Sequence, residues 1–281
     1  MSQRPVIAVL FCSMLLAALP AAASQAATDN LRLYVFDCGS LKLDDVTLFG
    51  LTSEETPVRE LFVPCYLIEH PQGRLLWDAG LPVALAGQGD VEMEPGAVMR
   101  YESSIVDQLA GMGLAPSDID LIAFSHLHFD HVGAANLFTT AKLLIQTTEY
   151  QSGFVDKNTE LFQPDLYLGL AESERRLLSG DHDVFGDGSV MLISAPGHTP
   201  GHQTLLLNLA NTGRLMLSGD LYHFRESRTL RRAPVFNFSA EQTFAAMDKV
   251  EALLVETGAT LWIEHEKALA DTLKKAPAYY D

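Results

Sequence analysis

The segment Ser125-His126-Leu127-His128-Phe129-Asp130-His131-Val132-Gly133 limits this chain more than any other stretch. It sets three histidines and one aspartate within six residues, in a chain of 281 residues that holds nine histidines in all. The apolar run Leu121 to Phe124 precedes it and reads as a short buried strand. Four polar side chains that start at a buried strand end need partners, and this density points to a metal rather than to scattered core histidines. Imidazole and carboxylate donors suit Zn, Mn or Fe better than Mg or Ca. Residues two apart in an extended turn can point the same way, so His126 and His128 can hold one ion. Asp130 and His131 open the next turn and can face a neighbouring ion.

Three other segments offer further donors. The tight loop Pro196-Gly197-His198-Thr199-Pro200-Gly201-His202 follows a strand, Ser218-Gly219-Asp220 ends one, and Ile263-Glu264-His265 ends another. Donors scattered along a chain but placed at strand ends can gather into a pocket. His202 reads as a hydrogen-bonding neighbour of its loop, and His70 and His182 as solvated surface. Arg225, Arg228, Arg231 and Arg232 read as a solvated face with acidic partners; the other reading has them lining the pocket for an anionic group.

The rest of the chain alternates strands and helices, which predicts an α/β or mixed layered class. Strands are expected at Leu31 to Phe36, Phe62 to Glu69, Arg74 to Asp78, Leu121 to Phe124, Lys142 to Gln146, Val190 to Ser194, Gln203 to Asn208, Arg214 to Ser218 and Thr260 to Ile263. Helices are expected from Ser104 to Met112 and from the cap Ser239 to about Thr257, with Gln242 at the capping-box position and Gly258 as the stop. A last helix is expected from about Glu266. Residues 150–188 are the least regular part, a loop with helices that could overhang a site.

Residues 1–26 read as a secretory leader. Arg4 is followed by the uncharged 14-residue apolar run Val6 to Leu19 and a small-residue stretch with cleavage sites after Ala23 or Ala26. That run is short for a membrane span, so cleavage is expected, with one domain over 27–281 in the periplasm or outside the cell and no stable span after processing. The formal charge is -17, and loss of Arg4 takes it to about -18. Such a charge excludes nucleic acid and anionic lipid as partners. Cys38 and Cys65 would be the only cysteines left. An oxidising compartment permits a disulfide between them; two small buried thiols are the alternative.

The order of donors, HxHxDH and then His, Asp and His, resembles the ligand pattern of the metallo-β-lactamase superfamily over residues 31 to 266. The resemblance implies a four-layer αβ/βα sandwich with a dinuclear site between two sheets, most simply two Zn ions. His126, His128 and His198 would hold the first metal, and Asp130, His131 and His265 the second, with Asp220 bridging. Asp78, in Leu75-Leu76-Trp77-Asp78-Ala79-Gly80, would orient a ligand histidine; Ala79 stands where the family has Thr. Within the superfamily, His126-Leu127-His128-Phe129-Asp130-His131, Thr199-Pro200-Gly201-His202-Gln203 and Val63-Pro64-Cys65-Tyr66-Leu67-Ile68-Glu69 look most like the N-acyl homoserine lactonases. Those enzymes carry a catalytic Tyr three residues after the bridging Asp. Here that position is His223, with Tyr222 one residue earlier, so both are candidate donors to a substrate carbonyl.

The resemblance therefore implies a lactonase in which hydroxide generated at the metals opens a neutral lactone or ester, with Asp130 carrying a proton to the leaving oxygen. The alternatives are another metallohydrolase of this fold, acting on β-lactams, thioesters or phosphoesters, and a metal-holding protein without turnover. A homodimer is allowed by the resemblance.

Overall fold

Runs such as Leu33-Tyr34-Val35-Phe36 are apolar at successive positions, so a strand built from them needs cover on both faces. The computed structural model, which describes residues 30–93 and 96–281, supplies that cover with two stacked sheets flanked by helices. The expected leader, residues 1–26, lies outside the described residues. The larger sheet contains β1 (Arg32–Leu43), β2 (Glu60–His70), β3 (Gly73–Trp77), β4 (Asp90–Met93), β5 (Ala97–Arg100), β6 (Leu121–Ala123), β7 (Lys142–Gln146) and β8 (Arg175–Leu178). They run in the order β4-β5-β1-β2-β3-β6-β7-β8, and β14 (Tyr279–Tyr280) adds to β1. The smaller sheet contains β9 (His182–Asp183), β10 (Val190–Ser194), β11 (Gln203–Leu209), β12 (Gly213–Leu217) and β13 (Thr260–Trp262), in the order β13-β12-β11-β10-β9.

Alternation along each strand divides the core in two. Leu33 and Val35 of β1, Tyr66 and Ile68 of β2, and Leu75 and Trp77 of β3 face the second sheet, where Leu192, Leu205, Leu207, Leu215 and Leu217 meet them. The intervening Tyr34, Phe36, Cys65, Leu67 and Leu76 face outward and pack under the helix Ile105–Gly111 through Ile105 and Leu109. On the far side, Met216 of β12 packs under Ala246, Met247 and Val250 of the helix Ala240–Thr257. The layers are therefore helix, sheet, sheet, helix. Each fully buried Leu or Val contributes roughly 1.5–3 kcal/mol, which is why the two-faced strands carry the fold.

The expected helix starts hold: Ser104 Oγ accepts from Asp107 N at 3.1 Å, and Ser239 Oγ accepts from Gln242 N at 3.2 Å. Three expectations change. The final helix is only Lys267–Ala270, a single turn. Residues 150–188 contain short helical turns and also β8 and β9, which extend both sheets. His70 is buried rather than solvated: its Nε2 lies 2.9 Å from Asp187 Oδ2 and its ring stacks on Phe185. His182 is half-buried.

Cys38 and Cys65 are joined in a disulfide. The β1–β2 register shifts between Asp37 and Ser40, and Cys38 lies within that irregularity. The four arginines take the solvated reading. Arg225 pairs with Glu266, Arg228 with Glu251, Arg231 with Asp248 and Arg232 with Glu55. Among the described residues, no helix is long and apolar enough to cross a membrane.

Candidate metal centre

All the predicted donors follow strand ends that open on one edge of the two sheets. β6 ends at Ala123, and the chain bends at Ser125 and runs on to His128, whose backbone is extended, before the single-turn helix Phe129–Val132. β10 leads to His198, β12 to Asp220 and β13 to His265. Two glycines let these loops close. Gly219 has φ +49°, and a Cβ there would sit 2.6 Å from His202 Nε2; a Cβ on Gly133 would strike the Leu81 backbone at 2.1 Å.

The donors form two clusters about one carboxylate. His126 Nε2, His128 Nδ1 and His198 Nε2 lie 2.8, 3.0 and 3.1 Å from one another. Asp130, His131 and His265 gather alongside, with Asp130 Oδ2 3.7 and 3.8 Å from the two imidazoles. Asp220 stands between. Its Oδ2 lies 3.2 Å from His198 Nε2, and its Oδ1 lies 3.2 and 2.9 Å from His131 Nε2 and His265 Nε2. Each oxygen therefore faces a different cluster.

The inner ends of the rings are held by the fold. Asp78, at φ 57°, accepts from Ser125 N at 2.7 Å and Ser125 Oγ at 2.9 Å, and its Oδ2 lies 2.8 Å from His131 Nδ1. His198 Nδ1 meets Asn237 Oδ1 at 2.8 Å, and His265 Nδ1 meets the Phe62 carbonyl at 2.7 Å. Since carbonyl and carboxylate oxygens only accept, these Nδ1 atoms carry a proton, and each Nε2 is turned into the centre as the atom that would meet a metal. His202 is the expected loop neighbour: its Nδ1 lies 3.0 Å from the Ala195 carbonyl, and its Nε2 accepts from Asp220 N at 2.9 Å.

Burial pushes the His126 and His128 imidazoles well below their ordinary range, so they stay neutral. Burial works against charge on His265 too, but Asp220 and Asp130 outweigh it and hold that ring up at about 9. Asp220 is held well below the carboxylate range against its burial by His265, His223, His131 and His126.

Three imidazole nitrogens crowded within 2.8–3.1 Å of one another are unfavourable without a shared cation. His131 Nε2 and Asp220 Oδ1 are likewise buried with no hydrogen-bond partner. Both observations fit divalent metal, and the nitrogen-rich donor set is one that such ions favour.

Tyr222 and His223 part company. Tyr222 is extended, at φ −138° and ψ 127°, so adjacent side chains go to opposite sides. Its hydroxyl donates to Glu251 Oε1 at 2.9 Å, on the outer helix. The candidate role of Tyr222 as a catalytic donor is thereby corrected: it is a packing residue. His223 turns inward, 2.9 Å from Asp220 Oδ2 and nearly parallel to the His265 ring. Sequence reasoning missed Asn237 and the Phe62 carbonyl, because neither lies near a donor in the chain.

A cavity of about 430 Å³ opens over the centre. His128, Asp130, Asp220, His223 and His265 form its floor, Leu41, Leu43, Phe49, Met93 and Phe236 are among its walls, and Asp44 and Asp45 also line it. Among the described residues, no lysine or arginine lines it.

Residues 58–257 match the family model of the metallo-beta-lactamase superfamily. The N-acyl homoserine lactonase AttM of Azorhizobium caulinodans is 31% identical over 270 residues, spanning 90% of this chain and 99% of that protein. The N-acyl homoserine lactonase AiiA of Bacillus thuringiensis subsp. kurstaki is 31% identical over 230 residues, spanning 79% of this chain and 84% of its own length. A solved N-acyl homoserine lactone hydrolase, with the product N-hexanoyl-L-homoserine at its catalytic metal centre, superposes with a TM-score of 0.77 at 25% identity. That likeness covers 89% of this chain and 99% of the other.

Proposed function

This chain belongs to the metallo-β-lactamase superfamily, and we propose that it is a dinuclear metal-dependent lactonase that opens N-acyl homoserine lactones or closely similar lactones. The observation that carries this reading is Asp220, whose two carboxylate oxygens face two separate histidine clusters under an apolar cavity. His126, His128 and His198 would hold one ion, Asp130, His131 and His265 the other, and Asp220 both. Zinc is the ion that the donors favour.

Bound divalent cations supply Lewis acidity and lower the pKa of water. The chain's own residues do the rest. Asp130, on the cavity floor, takes the proton from the attacking water and returns it to the alkoxide leaving the ring. His223 Nε2 lies 2.9 Å from Asp220 Oδ2, and it would turn its N–H from that carboxylate to the substrate carbonyl oxygen, the task given to tyrosine in the lactonases that the sequence resembles. Phe49, Met93 and Phe236 exclude water and receive the acyl chain. A cavity lined by Asp44, Asp45, Asp130 and Asp220 and, among the described residues, by no lysine or arginine favours a neutral substrate over an anionic one.

The test is a panel of acyl homoserine lactones, a cephalosporin and a phosphodiester, each given to the metal-loaded chain. Lactone turnover to the ring-opened acid is the expected result; a fully loaded protein that leaves every lactone intact sinks the reading. We also infer export through residues 1–26, a reading that the Cys38–Cys65 disulfide supports. Mass spectrometry of the exported fraction should find an N-terminus after Ala23 or Ala26, and a chain that keeps Met1 and stays out of the exported fraction refutes it.

A further inference from the structure

Glu149 lies in the helical turn Thr147–Tyr150 just beyond β7 and belongs to none of the donor segments. Its side chain is buried, and its two oxygens point to two different loops. Oε1 accepts from Leu127 N at 3.0 Å, and Oε2 accepts from Gly201 N at 2.7 Å. Leu127 sits between His126 and His128, and Gly201 is three residues beyond His198. One carboxylate thus joins the two loops that carry the three imidazoles of the first cluster. The approach is close: a Cβ on Gly201 would sit 2.5 Å from Glu149 N. The neighbouring Thr148 Oγ1 adds a bond to the Pro200 carbonyl at 2.9 Å.

We propose that Glu149 is a positioning residue for the metal centre, clipping the His126–His128 loop to the His198 loop and so setting the spacing of the three imidazoles. The chemistry requires a carboxylate. It is the side chain that accepts two backbone N–H groups at once, one on each oxygen, with no donor of its own. Glutamine keeps one acceptor and turns an NH₂ against the other backbone N–H. Aspartate keeps both acceptors but is one methylene too short to reach both loops. The proposal rests on the reading of these imidazoles as metal ligands, and the experiment separates the two.

Glu149→Gln and Glu149→Asp are made in the full chain, stripped of metal and titrated with Co(II) while visible absorption is followed. Amide hydrogen exchange is measured on the metal-free proteins. Both variants should weaken Co(II) binding at the three-histidine cluster by about 10–100-fold and leave the Asp130–His131–His265 cluster within a few-fold of the unsubstituted protein. Exchange should accelerate at the Leu127 and Gly201 amides while β2 and β11 keep their protection. Unchanged Co(II) affinity in both variants overturns the proposal. So does a loss shared equally by both clusters with exchange raised throughout, or failure of both variants to fold, since the residue would then serve the fold alone. If the unsubstituted protein takes up no Co(II) on its histidines, the metal reading itself fails, and this proposal with it.

Discussion

Asp78 is the residue whose chemistry depends most on its neighbours. It is buried, sits in the left-handed region at φ 57°, and spends its lone pairs on Ser125 and His131. Strain of this kind persists where surrounding structure holds it, and here it fixes the His131 ring. Asp78→Asn should therefore lower metal affinity about 10–100-fold with the fold retained, as read by competition with a chromophoric chelator. The pair Tyr222 and His223 offers a second test at this scale. Tyr222→Phe loses one hydrogen bond to Glu251 and should cost about 1 kcal/mol in denaturant unfolding without changing kcat. His223→Phe should lower kcat on a lactone by about 100-fold. Equal kinetic effects from the two substitutions would contradict the opposite orientations seen at these positions. The histidines and aspartates were legible in the sequence because donor chemistry is a property of residue type. Asn237 was not, because an amide near a turn has many ordinary uses.

At the scale of elements, the strands that could be read ahead are those buried on both faces, where every position reports the environment. Lys142–Gln146 and Val190–Ser194 agree with expectation to the residue. The missed strands β4, β5, β8, β9 and β14 are two to four residues long. β4 is the polar run Asp90–Met93, held by its pairing with β5, and β14 is held by β1. Their conformation comes from a partner rather than from their own pattern. The loop after β12 shows how an element end serves the site. Gly219→Ala would force a side chain into a left-handed position already crowded by His202 and Ser125. We expect a loss of about 1–3 kcal/mol in thermal unfolding together with weaker metal uptake. A variant as stable as the parent would show that the loop relaxes freely.

For the whole molecule, the disulfide tests how much covalent support the larger sheet needs. Cys38 and Cys65 are 27 residues apart in sequence, and closing a loop of that length stabilises by about 3–4 kcal/mol on the chain-entropy account. Cys38→Ala with Cys65→Ala should lower unfolding free energy by roughly that amount in denaturant titration, and a reducing agent should affect the parent protein alone. No change in either experiment would mean that the bond is dispensable. The sequence allowed this bond without requiring it, because facing Cβ atoms depend on strand register, and the register shifts at Cys38.

The sequence by itself determined which atoms could bind metal, the order in which the chain supplies them, and the layered α/β class, since all three follow from residue type and short-range periodicity. The tertiary structure decided which donors meet. It turned one Asp220 oxygen to each histidine cluster, sent Tyr222 outward and His223 inward, and put Glu149 between two loops more than 20 residues away on either side. Those outcomes depend on how two sheets stack and where four loops close, and that geometry is set by contacts between residues far apart in the chain.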